Sequence, residues 1–91
     1  MKIILKPQKE STNAKFNGQL VMTRNFIDTF GNKAHIIALQ SVIKIQKERV
    51  SEGADYFQVC EYDGKTFWVI DDENYEDIEN NVVAVLMPED Y

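Results

Sequence analysis

The chain is short of the residues from which most active sites are built. It has one cysteine, Cys60, and one histidine, His35, among 91 residues. A single cysteine excludes an intramolecular disulfide, and one cysteine with one histidine falls short of a zinc site. A catalytic pair of the two is disfavoured, because Cys60 lies in a predicted strand and His35 in the first turn of a predicted helix. We therefore expect a protein that is not an enzyme and that holds no metal and no other cofactor.

Long apolar runs are also missing. The longest, "VVAVLM" at 82–87, has the length of a strand, whereas a membrane helix needs about 20 apolar residues. The first ten residues, "MKIILKPQKE", contain too short an apolar stretch for a signal peptide. Together with the lone thiol, these features predict a cytoplasmic protein without a membrane partner.

Basic side chains are almost absent from the second half of the chain. Residues 1–51 carry nine Lys or Arg and three acidic residues, a charge of +6, whereas residues 52–91 carry one Lys and twelve acidic residues, a charge of −11. The densest acidic segment is "DDENYEDIE" at 71–79, in which six of nine residues are acidic. Such asymmetry indicates an interaction surface. It disfavours direct binding to nucleic acid, because carboxylates repel phosphates.

The remaining sequence predicts a single domain, residues 1–91, of the α+β class. From their alternating or continuous apolar residues, strands are predicted at 2–6, 19–23, 56–62, 65–71 and 81–87. The first two are expected to be antiparallel neighbours across a polar loop. Asp63-Gly64 predicts a hairpin with a type I′ turn. The expected architecture is an antiparallel five-stranded sheet packed against one main helix, in the order β-β-α-β-β-β.

The main helix is expected to begin near Lys33, with Asn32 as its N-cap, and to end before a left-handed Gly53. The segment "RNFIDTFGNK" that leads into it is interpreted as a connection. Helical spacing predicts a buried stripe on this helix, with Val42 beside it. The residues of the stripe are Ile36, Leu39, Ile43 and Val50.

Three segments carry a resemblance: "VMTRN" (21–25), "GKTFWVIDDENYED" (64–77) and "VVAVLMPEDY" (82–91). They resemble a small bacterial, plasmid and phage family known as domain of unknown function 3768. Its members typically show Thr-Arg-Gly after an early strand, then Phe-Trp-Lys-Ile-Asp-Tyr-Tyr-Asp, and close near Met-Leu-Ala-Glu-Glu-Tyr. The resemblance implies an accessory protein of mobile genetic elements and contains no catalytic signature.

The match extends over about residues 15–91. Asn25 stands where the family has Gly, and Val69 where it has Lys. The matching residues are Thr23, Arg24, Phe67, Trp68, Ile70 and Asp71, with a looser fit at Leu86, Met87, Glu89 and Tyr91. Structural roles are expected for several of them, in preference to a ligand site. Thr23 and Arg24 would cap a helix, Arg24 would pair with Asp71 or a terminal carboxylate, and Trp68 would lie in the core.

We therefore expect a non-enzymatic phage or mobile-element protein that binds a host macromolecule through its carboxylates. A rigid acidic surface can mimic DNA and occupy the basic groove of a nucleic-acid-binding protein, with release of counterions from that groove. A defence nuclease is the expected target, which would make the chain an anti-CRISPR or anti-restriction inhibitor. The residues expected to form the surface are Asp71, Asp72, Glu73, Glu76, Asp77, Glu79, Glu89 and Asp90.

The alternative is a self-associating structural domain. Exposed strand edges invite pairing, and four tyrosines would add contacts in a homodimer. These tyrosines are Tyr56, Tyr62, Tyr75 and Tyr91. A calcium site at 71–79 is disfavoured, because the segment lacks the spaced aspartates and the central glycine of calcium loops. A solvated turn without a partner is the simplest explanation of the segment.

Overall fold

The computed structural model describes the backbone of residues 1–91 and all side chains except that of Ile78. Two helices cover one face of a five-stranded sheet, so the α+β class is confirmed. The strands are β1 (Ile4–Leu5), β2 (Gln19–Met22), β3 (Phe57–Tyr62), β4 (Lys65–Asp71) and β5 (Val82–Leu86). The helices are α1 (Arg24–Phe30) and α2 (Ala34–Glu48). Short 3-10 turns occupy Gly31–Lys33, Val50–Glu52, Tyr75–Asn80 and Pro88–Asp90.

The sheet is mixed, which corrects the antiparallel prediction. Its spatial order is β1-β3-β4-β5-β2, and β2 runs parallel to β5 while all other neighbours are antiparallel. β1 and β2 therefore lie at opposite edges instead of pairing with each other. The reason is that residues 7–18 do not form a hairpin loop: Ala14 and Phe16 are buried in the core, and Ala14 forms a bridge with Ala54.

The hairpin of β3 and β4 agrees with the sequence prediction. Tyr62 lies opposite Lys65, and the two residues between them, Asp63 and Gly64, have φ angles of 53° and 76°. Positive φ at both central positions is what a type I′ turn requires. This turn places β4 in the centre of the sheet, between β3 and β5.

Helical structure begins earlier than the sequence predicted. Thr23 is the N-cap of α1, and its hydroxyl accepts a hydrogen bond from the backbone N–H of Phe26 at 3.3 Å. The capping role of Thr23 is thus confirmed, whereas Asn32 does not cap α2, which begins at Ala34 after the turn at Gly31. Among the helices that the structure describes, none is long and apolar enough to cross a membrane.

The buried face of α2 differs from the predicted stripe. Ile36 and Leu39 are 41% and 38% exposed. The residues that face the sheet are Ala34, Ile37, Ala38, Ser41, Val42 and Ile45. Apolar residues occur around most of this helix, so periodicity alone fits more than one face. The small side chains at positions 34, 38 and 41 let the helix approach the sheet closely, and they decide the orientation.

β2 approaches the segment before β5 closely at Gly18. The φ angle of Gly18 is +133°, and a Cβ atom there would lie 2.4 Å from the carbonyl oxygen of Asn81. The N–H of Gln19 donates to the same oxygen at 2.8 Å. Only glycine fits this contact without moving the backbone.

We predict that Gly18→Ala lowers the free energy of unfolding by about 2–4 kcal/mol, because a clash adds to an unfavourable φ angle. Gly64→Ala is the matched control, since its φ is +76° and nothing lies within 4 Å of the added Cβ; its cost should be about 1 kcal/mol. Urea denaturation measures both values, and equal losses would contradict the prediction.

Candidate binding surface

The eight carboxylates expected to form one surface lie in three different places. Asp71 ends β4 and is 2% exposed. Five others are exposed on the connection between β4 and β5, which we call the acidic connection, residues 72–80. These five are Asp72, Glu73, Glu76, Asp77 and Glu79. Glu89 and Asp90 follow the far end of β5, about 17 Å away for five residues of extended chain. The prediction that all eight carboxylates form a single surface is therefore wrong.

Asp71 is a buried structural group, which corrects its prediction as a partner contact. One carboxylate oxygen accepts the backbone N–H of Phe16 at 2.9 Å and the hydroxyl of Tyr75. The other accepts the backbone N–H of Glu73 at 3.0 Å and the side-chain amide of Asn81 at 2.8 Å. The four donors come from three segments, namely the residues before β2, the acidic connection and the residue before β5, so Asp71 joins these segments.

The ionised form of Asp71 is stabilised by these donors. Burial by itself raises the pKa of the Asp71 carboxyl, but the hydrogen bonds from Tyr75, Asn81, Glu73 and Phe16 outweigh burial and hold the pKa below its ordinary value of 3.8. Burial and the bond to Asp71 together raise the pKa of Tyr75 to about 12. The Tyr75 phenol therefore keeps its proton and donates a hydrogen bond to the Asp71 carboxylate.

Asn81 fixes the other end of the acidic connection. Its side-chain amide donates to the carbonyl of Asn17 at 2.6 Å, and its side-chain oxygen accepts the N–H of Asn74 at 2.7 Å. The N–H of Asp72 donates to the carbonyl of Val82 at 3.0 Å. Both ends of the connection are therefore held by buried or backbone groups, and its carboxylates project from an anchored segment.

Asp90 belongs to a separate structural contact beside α1. Its carboxylate accepts the Thr23 hydroxyl at 2.6 Å, the Asn25 amide at 2.7 Å and the N–H of Met87 at 2.9 Å. The hydrogen bonds from Thr23, Met87 and Asn25 hold the pKa of Asp90 below its ordinary value. Asp90 thus fastens the final turn to the start of α1, away from the acidic connection.

The basic half of the chain does not neutralise the acidic connection through ion pairs. Among the side chains that the structure describes, the ion pairs are Lys6–Glu61, Arg24–Asp28 and Lys44–Glu48. Arg24 was expected to pair with Asp71 or the C-terminal carboxylate, and it pairs with neither among the described side chains: its Nε lies 3.8 Å from a carboxylate oxygen of Asp28 in an exposed pair. The five carboxylates of the connection therefore face solvent.

Cys60 and His35 do not form a site. Cys60 is fully buried in the core, whereas His35 is exposed at the start of α2. Burial raises the pKa of the Cys60 thiol to about 12, against a smaller opposing effect of Arg49. Over the described residues, no group of three His, Cys, Asp or Glu is arranged to hold a metal ion.

The sequence interpretation missed an apolar surface on the sheet face opposite the helices, which we call the open face. Trp68 was expected in the core, but it is half-buried on the open face, with its ring centroid 4.8 Å from that of Phe57 and 5.3 Å from that of Tyr91. The signal was present, since both faces of the β3–β4 hairpin are apolar. Apolar residues on both faces are typical of strands that are covered on both sides, whereas only one side of this hairpin is covered by helices.

The four tyrosines expected at a homodimer contact are dispersed. Tyr62 packs against Phe30, and Tyr75 is bonded to Asp71. Only Tyr56 and Tyr91 are exposed, at 39% and 78%. They therefore do not form one tyrosine surface.

Comparisons of the chain with family models, curated proteins and solved structures gave no match. The resemblance to domain of unknown function 3768 therefore stays an expectation based on its quoted motifs.

We predict that Asp71→Asn lowers the free energy of unfolding at neutral pH by about 2–4 kcal/mol, because a buried charge-assisted network is broken. The folded pKa of Asp71 is below 3.8, so its stabilisation is present above that pH and is lost as the pH falls through the folded value. Denaturation at several pH values should therefore show a weaker acid dependence in this variant. Asp72→Asn, at an exposed position, is the control, and its free energy of unfolding should stay within about 0.5 kcal/mol of that of the parent. Equal losses in the two variants would contradict a stabilising role of the Asp71 network.

We also predict that Cys60 is unreactive in the folded chain. A buried thiol with a raised pKa holds little thiolate, so its modification by a disulfide reagent at pH 8 should be at least about 1000-fold slower than in the urea-unfolded chain. Absorbance of the released reagent measures both rates. Similar rates in the two states would show that Cys60 is accessible.

Proposed function

We propose that this chain is a non-enzymatic binding protein whose acidic connection contacts a basic groove of a host nucleic-acid-binding protein. The observation that carries the proposal is the combination of five exposed carboxylates with an anchored backbone. The expected setting, the cytoplasm of a host of mobile genetic elements, follows from the resemblance and the lone thiol. The expected target is a defence nuclease of the CRISPR or restriction type.

Anchoring matters because binding costs less when the contact groups are already held in place. Asp71 holds the start of the connection through Glu73 and Tyr75, and Asn81 holds Asn74. Asn80 donates to Asp77 at 2.6 Å, which fixes one of the exposed carboxylates. A partner would therefore order few additional rotatable bonds in the backbone of this segment.

Charge supplies the attraction. The acidic connection has five carboxylates in nine residues and no basic residue. A lysine- and arginine-rich groove normally holds anions, and these would be released when the carboxylates enter. The electrostatic attraction between the carboxylates and the basic groove would also raise the association rate at low ionic strength. Binding should therefore compete with DNA for the groove and weaken steeply as salt is added.

A charge-neutralised variant tests the proposal. It carries Asp72→Asn, Glu73→Gln, Glu76→Gln and Asp77→Asn. We expect it to bind at least about tenfold more weakly to an RNA-guided nuclease or a restriction endonuclease at low salt, with a flatter salt dependence. The measurement is displacement of a fluorescent DNA duplex from the purified nuclease.

The matched control carries Glu10→Gln, Asp28→Asn, Glu48→Gln and Glu52→Gln. It changes the net charge by the same amount, but its exposed residues lie outside the acidic connection. The control should keep the affinity of the parent. Binding that is equal at low and moderate salt, or that survives neutralisation of the acidic connection, would overturn the proposal.

A further inference from the structure

The open face carries apolar side chains that no helix covers. Residues at alternate positions of β3, β4, β5 and β2 lie on this face, as their pairing shows: Val59 is opposite Trp68, Phe57 opposite Ile70, and Ala84 opposite both Ile70 and Val21. None of these six residues belongs to the core beneath the helices. Val21 is 45% exposed, and the others are half-buried by their neighbours in the sheet.

The strand residues of the open face are nearly neutral in a chain of net charge −5. On β3 its charged residue is Glu61, and the Glu61 carboxylate lies 3.1 Å from the Lys6 ammonium group. The opposite residue on β4 is the uncharged Thr66. The acidic connection lies at the end of β4, beyond this face. The strands of the open face therefore offer few charged groups to a partner.

An aromatic groove extends the open face on the β3 side. It has a volume of about 560 Å³, with Phe57, Val59 and Trp68 among its lining residues. Pro7–Glu10, Asp55 and Tyr91 line it as well, so the groove adds one basic and two acidic side chains, those of Lys9, Glu10 and Asp55. The segment 7–10 is tied to its neighbours by hydrogen bonds, since Gln8 donates to the Gly53 carbonyl at 2.9 Å and accepts from Gln58 at 2.9 Å. These hydrogen bonds hold one wall of the groove in place.

We propose that the open face packs against the open face of a second copy of this chain. Charge selects this occupant: a two-fold contact sets a surface against itself, so a neutral apolar surface fits while one of a single charge repels. Sheets stack face to face at about 10 Å, with their side chains interdigitated. The assembly has helices outside and two sheets inside.

The strands of the open face by themselves present roughly half the area of a typical stable interface. Five strands of two to seven residues, spaced about 4.8 Å apart and on average about 16 Å long, present roughly 400 Å² of projected face. The groove walls at Pro7–Glu10 and Tyr91 enlarge this area toward the value of about 800 Å² per partner that is typical of stable complexes. The exposed residues of α2, Ile36 and Leu39, offer a narrower apolar surface.

This inference does not rest on the proposed function, because the open face and the acidic connection are separate surfaces. The test needs only the purified chain. We expect sedimentation equilibrium to show a mass rising from 10.5 kDa toward about twice that value between about 1 and 100 µM. Emission of Trp68, the only tryptophan, should shift to shorter wavelength over the same range as water leaves its ring.

Ala84→Glu places a charge within the open face, on β5 beside the central strand β4, and should raise the dissociation constant at least about 100-fold, because the charge would be buried opposite its own copy. Ile36→Glu is the matched control on the exposed side of α2 and should leave the dimer unchanged. Circular dichroism checks folding, and Val21→Glu at the edge of the same face replaces Ala84→Glu if the latter does not fold.

A parent chain that stays monomeric at 100 µM with constant Trp68 emission would overturn the inference. So would dissociation by Ile36→Glu but not by Ala84→Glu, since this would place the contact on α2. Added salt gives a further check: an apolar contact should persist or strengthen, whereas dissociation by moderate salt would indicate a charged contact and contradict the proposal.

Discussion

The buried carboxylate of Asp71 is the constraint on which the arrangement of the chain depends. It accepts four hydrogen bonds, two on each oxygen, from Phe16, Glu73, Tyr75 and Asn81. These donors lie in the segment before β2, in the acidic connection and in the residue before β5. A buried charge is tolerated only when its hydrogen-bonding capacity is filled. The requirement to fill it therefore brings these three segments together at one end of β4.

The same constraint separates charges that are adjacent in the sequence. Asp71 turns inward as the last residue of a strand, while its neighbour Asp72 is exposed. Asp90 is held at α1 by Thr23 and Asn25. What remains is a smaller acidic surface, confined to one connection but anchored at both ends. Anchoring favours specific recognition over the diffuse attraction of an acidic tail, because the carboxylates keep a fixed spacing.

The two sides of the sheet have different physical roles. The helix-covered side is closed by aromatic contacts such as Phe26 with Phe67 at 5.3 Å, and by small residues of α2 that allow close packing. The open face also carries apolar side chains, but no helix covers it. The acidic connection and the open face are distinct in position and in chemistry. The proposed dimer and the proposed basic partner would therefore use different surfaces and would not compete.

Local chemistry in the sequence determined the elements that depend on neighbouring residues. The Asp63-Gly64 hairpin, the Thr23 cap and the approximate positions of all five strands were predicted, because turn geometry, capping and alternation act over a few residues. Tertiary structure alone decided the parallel pairing of β2, the buried face of α2, the inward turn of Asp71 and the exposure of Trp68. Each of these depends on groups far apart in the chain. For example, Phe16 and Asp71 meet across 55 residues, and no local pattern encodes such a contact.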